Sequence, residues 1–103
     1  MKIITAENFK NEVESFEGLS VIDLYADWCG PCRMLAPILA QLEGEYPEVN
    51  FCKINVDEQP ELAKEFNVSS IPMVAFVKGD VFADLHVGLA PKRVLQEKIE
   101  ANK

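Results

Sequence analysis

Two cysteines separated by two residues, Cys29 and Cys32, are the side chains of this sequence best suited to chemistry. Such a pair can close a small disulfide or supply half of a metal site. An apolar run over residues 21–26 precedes the pair, and a helical pattern that begins at Met34 follows it. The thiols are therefore predicted at a strand-to-helix junction, where a helix N-terminus stabilises a thiolate.

Zinc binding is the main alternative use of the pair. Structural zinc normally takes four Cys or His ligands, and only Cys52 and His86 remain, neither at paired spacing. Cys52 lies in an apolar, β-prone run and is predicted to be an inert core thiol. His86 is predicted to be a surface residue rather than a ligand. The pattern favours redox chemistry, and no metal site is predicted.

A carboxylate in the apolar strand pattern before the cysteines is the second unusual feature. Asp23 has apolar neighbours on both sides, so we expect it to be buried, and burial raises the pKa of a carboxyl group. The alternative is a solvated aspartate on an edge strand. Its apolar neighbours disfavour that interpretation.

Composition limits the class of protein. A length of 103 residues, 49% of them hydrophobic, predicts one globular domain over residues 1–103. A net charge of -7 with scattered basic residues disfavours nucleic-acid binding. We expect neither a membrane span nor a signal peptide, because no apolar run is long enough and none follows Met1. Three cysteines are few and odd in number, which favours a reducing, cytoplasmic setting.

Strand and helix patterns alternate around the cysteine pair. We expect a mixed central sheet of about five strands flanked by about four helices, an α/β sandwich. Thr5 is the predicted N-cap of the first helix, and Pro37 is expected to kink the helix that follows the cysteines. The segment 81–87 is predicted to form a hairpin with 73–77. Its alternation places Val81, Ala83, Leu85 and Val87 on one face and Phe82, Asp84 and His86 on the other.

The chain resembles the thioredoxin family over nearly its whole length. The motifs that carry the resemblance are Trp28-Cys29-Gly30-Pro31-Cys32, Ala36-Pro37-Ile38-Leu39, Lys53-Ile54-Asn55-Val56-Asp57, Ile71-Pro72 and Val87-Gly88. The resemblance implies the thioredoxin fold and dithiol–disulfide exchange with disulfide-containing protein substrates. It also implies a redox-active Cys29–Cys32 disulfide with no bound cofactor, and reduction by an external thioredoxin reductase linked to NADPH or ferredoxin. We expect a monomer.

The resemblance also implies roles for individual residues. Cys29, at the helix start and nearest the exposed edge, attacks the substrate disulfide, and Cys32 then resolves the mixed disulfide. Asp23 accepts the proton of Cys32 through a water, and Lys53 on the adjacent strand pairs with Asp23. A cis peptide bond is expected between Ile71 and Pro72, facing Cys29. The residues expected to bind substrate are Trp28, Gly30, Pro31, Ile71, Pro72 and Gly88.

Three departures from the family pattern bear on partner preference. Ser69-Ser70 precedes Ile71 where a glycine is usual, Met73 follows Pro72 where threonine is common, and Tyr25 stands where a second tryptophan is frequent. A rival function is a binding module whose surface matters more than its thiols, but such a role does not require an intact cysteine pair. An oxidase or isomerase is a third possibility, although Gly30-Pro31 resembles the reducing members of the family.

Overall fold

Five strands form one mixed β-sheet in the computed structural model, which describes residues 1–103. They are β1 (Lys2–Ile3), β2 (Leu19–Tyr25), β3 (Asn50–Asn55), β4 (Met73–Lys78) and β5 (Val81–Val87), in the spatial order β1-β3-β2-β4-β5. Strand β3 runs parallel to β1 and β2, whereas β4 is antiparallel to both β2 and β5. The predicted mixed sheet is confirmed, with β2 at its centre.

Four helical segments cover the sheet. They are a π-helical turn (Lys10–Glu14), α1 (Gly30–Glu45), α2 (Pro60–Glu65) and α3 (Lys92–Asn102). The hydroxyl of Thr5 accepts hydrogen bonds from the backbone N–H groups of Glu7 and Asn8. The N-cap position of the π-helical turn is Phe9, which has no side-chain cap, so Thr5 caps the preceding turn and not the helical segment as predicted. Helix α1 continues through Pro37, which has no N–H to donate to the preceding turn. None of the helices is both long and apolar enough to span a membrane.

Strand β2 is buried on both faces, as its continuous apolar pattern predicts. Leu19 and Val21 pack in one core cluster with α1 and α3, where Leu35, Leu39 and Ile99 are fully buried. Residues Ile22 and Leu24 belong to a second cluster on the opposite face, which includes residues of α2. Asp23 alternates with these residues, so its side chain lies on the same face as Val21, beneath α1.

A β-bulge in β5 changes the predicted alternation. Phe76 lies opposite Asp84 and Val77 opposite Phe82, so Ala83 is an extra residue without a partner. The prediction that Phe82 shares a face with Asp84 and His86 is therefore wrong. The bulge turns the Phe82 ring to the other face of the sheet, where its centroid lies 5.9 Å from that of Phe66.

Candidate active site

The cysteine pair lies at the junction of β2 and α1, as predicted, and is in the disulfide form. Cys29 is the N-cap of α1, and its Sγ accepts a hydrogen bond of 3.2 Å from the backbone N–H of Cys32. Pro31 lies in the first turn of α1, where backbone N–H groups have no acceptor within the helix. The N–H that proline lacks therefore costs no helical hydrogen bond. The Cα atoms of the two cysteines are 5.3 Å apart. This geometry places one sulfur at the helix end and the other inside its first turn.

Both cysteines are covered in this oxidised state. Cys29 is 4% exposed and Cys32 is 3% exposed, so neither residue is open to solvent in the disulfide form, although Cys29 lies at the helix start as expected. The two pack with Ala26, and Ile71 packs against this small cluster from outside. The neighbours Trp28 and Pro31 are exposed. The exposed surface beside the covered sulfurs is therefore formed by these neighbours.

Asp23 is buried, as predicted, behind the cysteines. It is 5% exposed, and its Oδ1 has no hydrogen-bond partner in the protein. Burial raises the pKa of this carboxyl from 3.8 to about 7, against the attraction of Lys53, which lowers it. Asp23 and Cys32 line the same cavity, about 380 Å³ in volume, between β2, β3 and α1. The arrangement brings a carboxyl group that titrates near neutral pH to the cavity beside Cys32.

Lys53 lies directly opposite Asp23 in the parallel β2–β3 pairing, as expected from the resemblance. It makes no direct ion pair with Asp23 or with any other carboxylate. Its Nζ lies instead 5.7 Å from the centre of the Tyr25 ring. The expected pairing is therefore an attraction through space rather than a hydrogen-bonded salt bridge.

Trp28 is held in place although it is 70% exposed. Its indole N–H donates a hydrogen bond of 2.8 Å to the carboxylate of Asp57. The side-chain oxygen of Asn55 in turn accepts hydrogen bonds from the backbone N–H groups of Asp57 and Glu58, at 2.9 and 3.2 Å. This turn fixes Asp57, and through it the indole beside the cysteines.

Asn55 and Asp57 were not among the predicted site residues. A usable signal was present, because Asn55 ends β3, Asp57 lies just beyond it, and the carboxyl ends of parallel strands meet at one edge of a sheet. The cysteine pair follows β2, the parallel neighbour of β3. Polar residues after β3 therefore had to lie near the cysteines.

The remaining predicted substrate-binding residues meet beside the cysteine pair. The Ile71–Pro72 peptide bond is cis, as expected, and the Pro72 carbonyl accepts a hydrogen bond of 2.8 Å from the N–H of Gly88. Gly88 has a φ of 94°, a conformation that favours glycine. A Cβ atom built at Gly30 would have no heavy atom within 4 Å apart from those of its chain neighbours and the local helix backbone, so the space beside the Gly30 backbone is free.

Several residues lie away from this surface. Met73 is 3% exposed within the core, so it does not provide the surface contact that its position after Pro72 suggested, whereas Ser69 and Ser70 are exposed. Cys52 is fully buried, and burial raises the pKa of its thiol to about 12, which confirms its place in the core. His86 is half-buried. No three His, Cys, Asp or Glu side chains are grouped to hold a metal ion.

Comparison with known proteins gives a consistent result. The family model described as Thioredoxin matches residues 1–101. A thioredoxin of Chlamydia pneumoniae is 46% identical over 100 residues, which cover 96% of this chain and 95% of that protein. The structure of Fasciola hepatica thioredoxin superposes with a TM-score of 0.92 at 35% identity and covers all of both chains.

A further solved structure concerns a peroxiredoxin system. It addresses the thiol resolving mechanism in yeast mitochondrial 1-Cys peroxiredoxin via glutathione/thioredoxin systems. It superposes with a TM-score of 0.88 at 34% identity, over 98% of this chain and 94% of the other. The matched length, the shared fold and the disulfide of Cys29 with Cys32 together show that this chain belongs to the thioredoxin family and is a thiol–disulfide oxidoreductase.

Proposed function

We propose that the protein reduces disulfides of protein substrates and that its two cysteines have unequal roles. The observation that carries this proposal is the shared cavity of Cys32 and Asp23, while Cys29 caps the end of α1. In the first step the Cys29 thiolate, stabilised by the helix N-terminus, attacks one sulfur of the substrate disulfide. The substrate S–S bond breaks, a mixed disulfide forms, and the first substrate thiolate leaves and takes up a proton.

In the second step the Cys32 thiol loses its proton and attacks the Cys29 sulfur. The mixed disulfide breaks, the Cys29–Cys32 disulfide forms, and the second substrate thiolate leaves. Asp23 accepts the Cys32 proton through water in the cavity, whose volume and unpartnered carboxylate oxygen suit an ordered water. A carboxyl that titrates near pH 7 can take up this proton and release it again. Attraction from Lys53 favours that release.

Substrate is proposed to bind in extended form across the exposed surface around Cys29. The fixed Trp28 indole forms one side, and Gly30 and Pro31 allow a close approach of the substrate backbone. Ile71, Pro72 and Gly88 form the other side. Pro72 is buried and its carbonyl already accepts from the Gly88 N–H, so the backbone of Ile71 is the part proposed to pair with an added strand. Exposed Ser69 and Ser70, next to Ile71, are the positions proposed to affect partner preference.

Each turnover needs two electrons from outside the protein, because the Cys29–Cys32 pair ends as a disulfide. We propose a thioredoxin reductase linked to NADPH or ferredoxin as their source and the cytoplasm, a reducing compartment, as the setting. The protein would then act as a small electron carrier between that reductase and substrates. A peroxiredoxin is a suitable substrate to test.

Trapping experiments distinguish the two cysteines. With an insulin disulfide as substrate, Cys32→Ser should accumulate a mixed disulfide through Cys29, and mass spectrometry should detect it. Cys29→Ser should form no such adduct at a comparable rate. Equal adduct formation by both variants would overturn the assignment.

Single-turnover kinetics test the role of Asp23. Asp23→Asn should slow release of the mixed disulfide about 100-fold at neutral pH, the usual scale for loss of a general base. Asp27→Asn is the matched control, because it removes an exposed carboxylate near the same cavity. An unchanged release rate in Asp23→Asn would reject the proposed role.

A further inference from the structure

The ammonium group of Lys53 has two competing neighbours on β2. Its Cα lies opposite that of Asp23, on a strand about 4.8 Å away. Tyr25 lies two residues further along β2, so its ring is on the same face of the sheet. A lysine side chain of four carbons is long enough to reach either group. In this structure the ammonium lies toward the ring, 5.7 Å from its centre.

Other charged groups around the cavity are engaged elsewhere. From α1, Arg33 donates a hydrogen bond of 2.7 Å to the Asp27 carbonyl. The Met1 ammonium forms an ion pair of 3.1 Å with Glu43. On the β4 side, Asp23 has the uncharged Val74 as its neighbour. The other titratable groups around the cavity are Tyr25 and the Asp27 carboxylate, whereas Cys32 is held in the disulfide. Lys53 and Arg33 thus have no carboxylate partner, and of these two cations Lys53 is the one that lies opposite Asp23 in the sheet.

We propose that Tyr25 is a positioning residue whose ring holds the Lys53 ammonium out of direct contact with Asp23. An aromatic face within about 6 Å attracts a cation, and this attraction competes with the carboxylate for the same ammonium. A direct ion pair would stabilise the ionised form of Asp23 and make it a weaker proton acceptor. The ring therefore keeps Asp23 able to take a proton near neutral pH. The consequence for catalysis rests on the proposed role of Asp23.

Titration of the Asp23 carboxyl by carbon NMR in the oxidised protein tests the inference. Tyr25→Leu removes the ring, so Lys53 should move to Asp23 and lower the titration midpoint by about one pH unit. Tyr25→Phe keeps the ring and should leave the midpoint close to that of the unsubstituted protein. The pH profile of mixed-disulfide release should shift with the midpoint in Tyr25→Leu.

Loss of the ring could also admit water to Asp23, and Lys53→Met separates this effect from the movement of Lys53. In a protein that already carries Lys53→Met, adding Tyr25→Leu should leave the Asp23 midpoint at its value in Lys53→Met alone. An equal fall with and without Lys53, or no fall in Tyr25→Leu, would overturn the inference. Tyr25→Met takes the place of Tyr25→Leu if the latter does not unfold cooperatively in urea.

The midpoint is read without turnover, so this test is independent of catalysis. Failure of Asp23 as proton acceptor would appear as an unchanged rate in Asp23→Asn, whereas failure of the Tyr25 inference would appear in the titration.

Discussion

Replacing Asp23 by asparagine should stabilise the oxidised protein by an amount that grows with pH. In the folded chain burial raises the pKa of Asp23 from its ordinary 3.8 to about 7. Between these values the folded state holds a proton that the unfolded state has lost, so wild-type stability falls as pH rises. One pKa unit corresponds to about 1.4 kcal/mol, so the whole gap corresponds to about 4 kcal/mol. Asparagine does not titrate and avoids this loss.

Urea unfolding of both proteins between pH 4 and pH 9 measures the effect. The difference in free energy of unfolding should rise from its value near pH 4 by about 4 kcal/mol and level off above about pH 7.5. A buried amide without partners adds an offset that is the same at every pH, so the slope is the test. Asp27→Asn, at an exposed carboxylate, should show no comparable slope. A difference between Asp23→Asn and the wild type that is flat across the range would refute the reasoning.

Three further predictions use other parts of the structure. Cys52 should resist iodoacetamide at pH 8 in the folded protein and react in urea, because burial raises the pKa of its thiol to about 12. Mass spectrometry measures the labelling, and rapid labelling of the folded protein would contradict the burial of Cys52. Asp57→Ala should free the Trp28 indole and lower its fluorescence anisotropy, which can be assigned to Trp28 because the chain has one tryptophan. Unchanged anisotropy would show that the hydrogen bond does not fix the ring. Leu39→Ala should cost about 2–5 kcal/mol of unfolding free energy, against about 0.5 kcal/mol or less for the exposed Met34→Ala, and equal urea midpoints would disprove the core assignment.

The central features of the fold were predictable because each has a local cause in the sequence. A strand buried on both faces is mostly apolar, and residues 21–26 show this apart from Asp23, which marks the site. Proline in the first turn and paired cysteines at a strand end located the start of α1.

Other features depend on contacts between distant residues. Alternation in β5 cannot reveal the extra residue at Ala83, because the bulge is defined only by pairing with β4. The direction of the Lys53 side chain depends on the Tyr25 ring across the strand, which residue types alone do not specify. The position of Asp57 near the cysteines could have been predicted from the parallel pairing of β2 and β3.

The bulge at Ala83 also affects how the sheet meets other molecules. Strand β5 is an edge strand, and three apolar side chains on it, Phe82, Leu85 and Val87, are between 42% and 47% exposed. A regular edge of this composition invites the strand of another chain to add to it. The extra residue interrupts the ladder of edge N–H and carbonyl groups and twists the strand locally. A net charge of -7 further opposes the approach of a second copy. One inserted residue thus makes a partly apolar sheet edge a less regular template for strand addition without covering it.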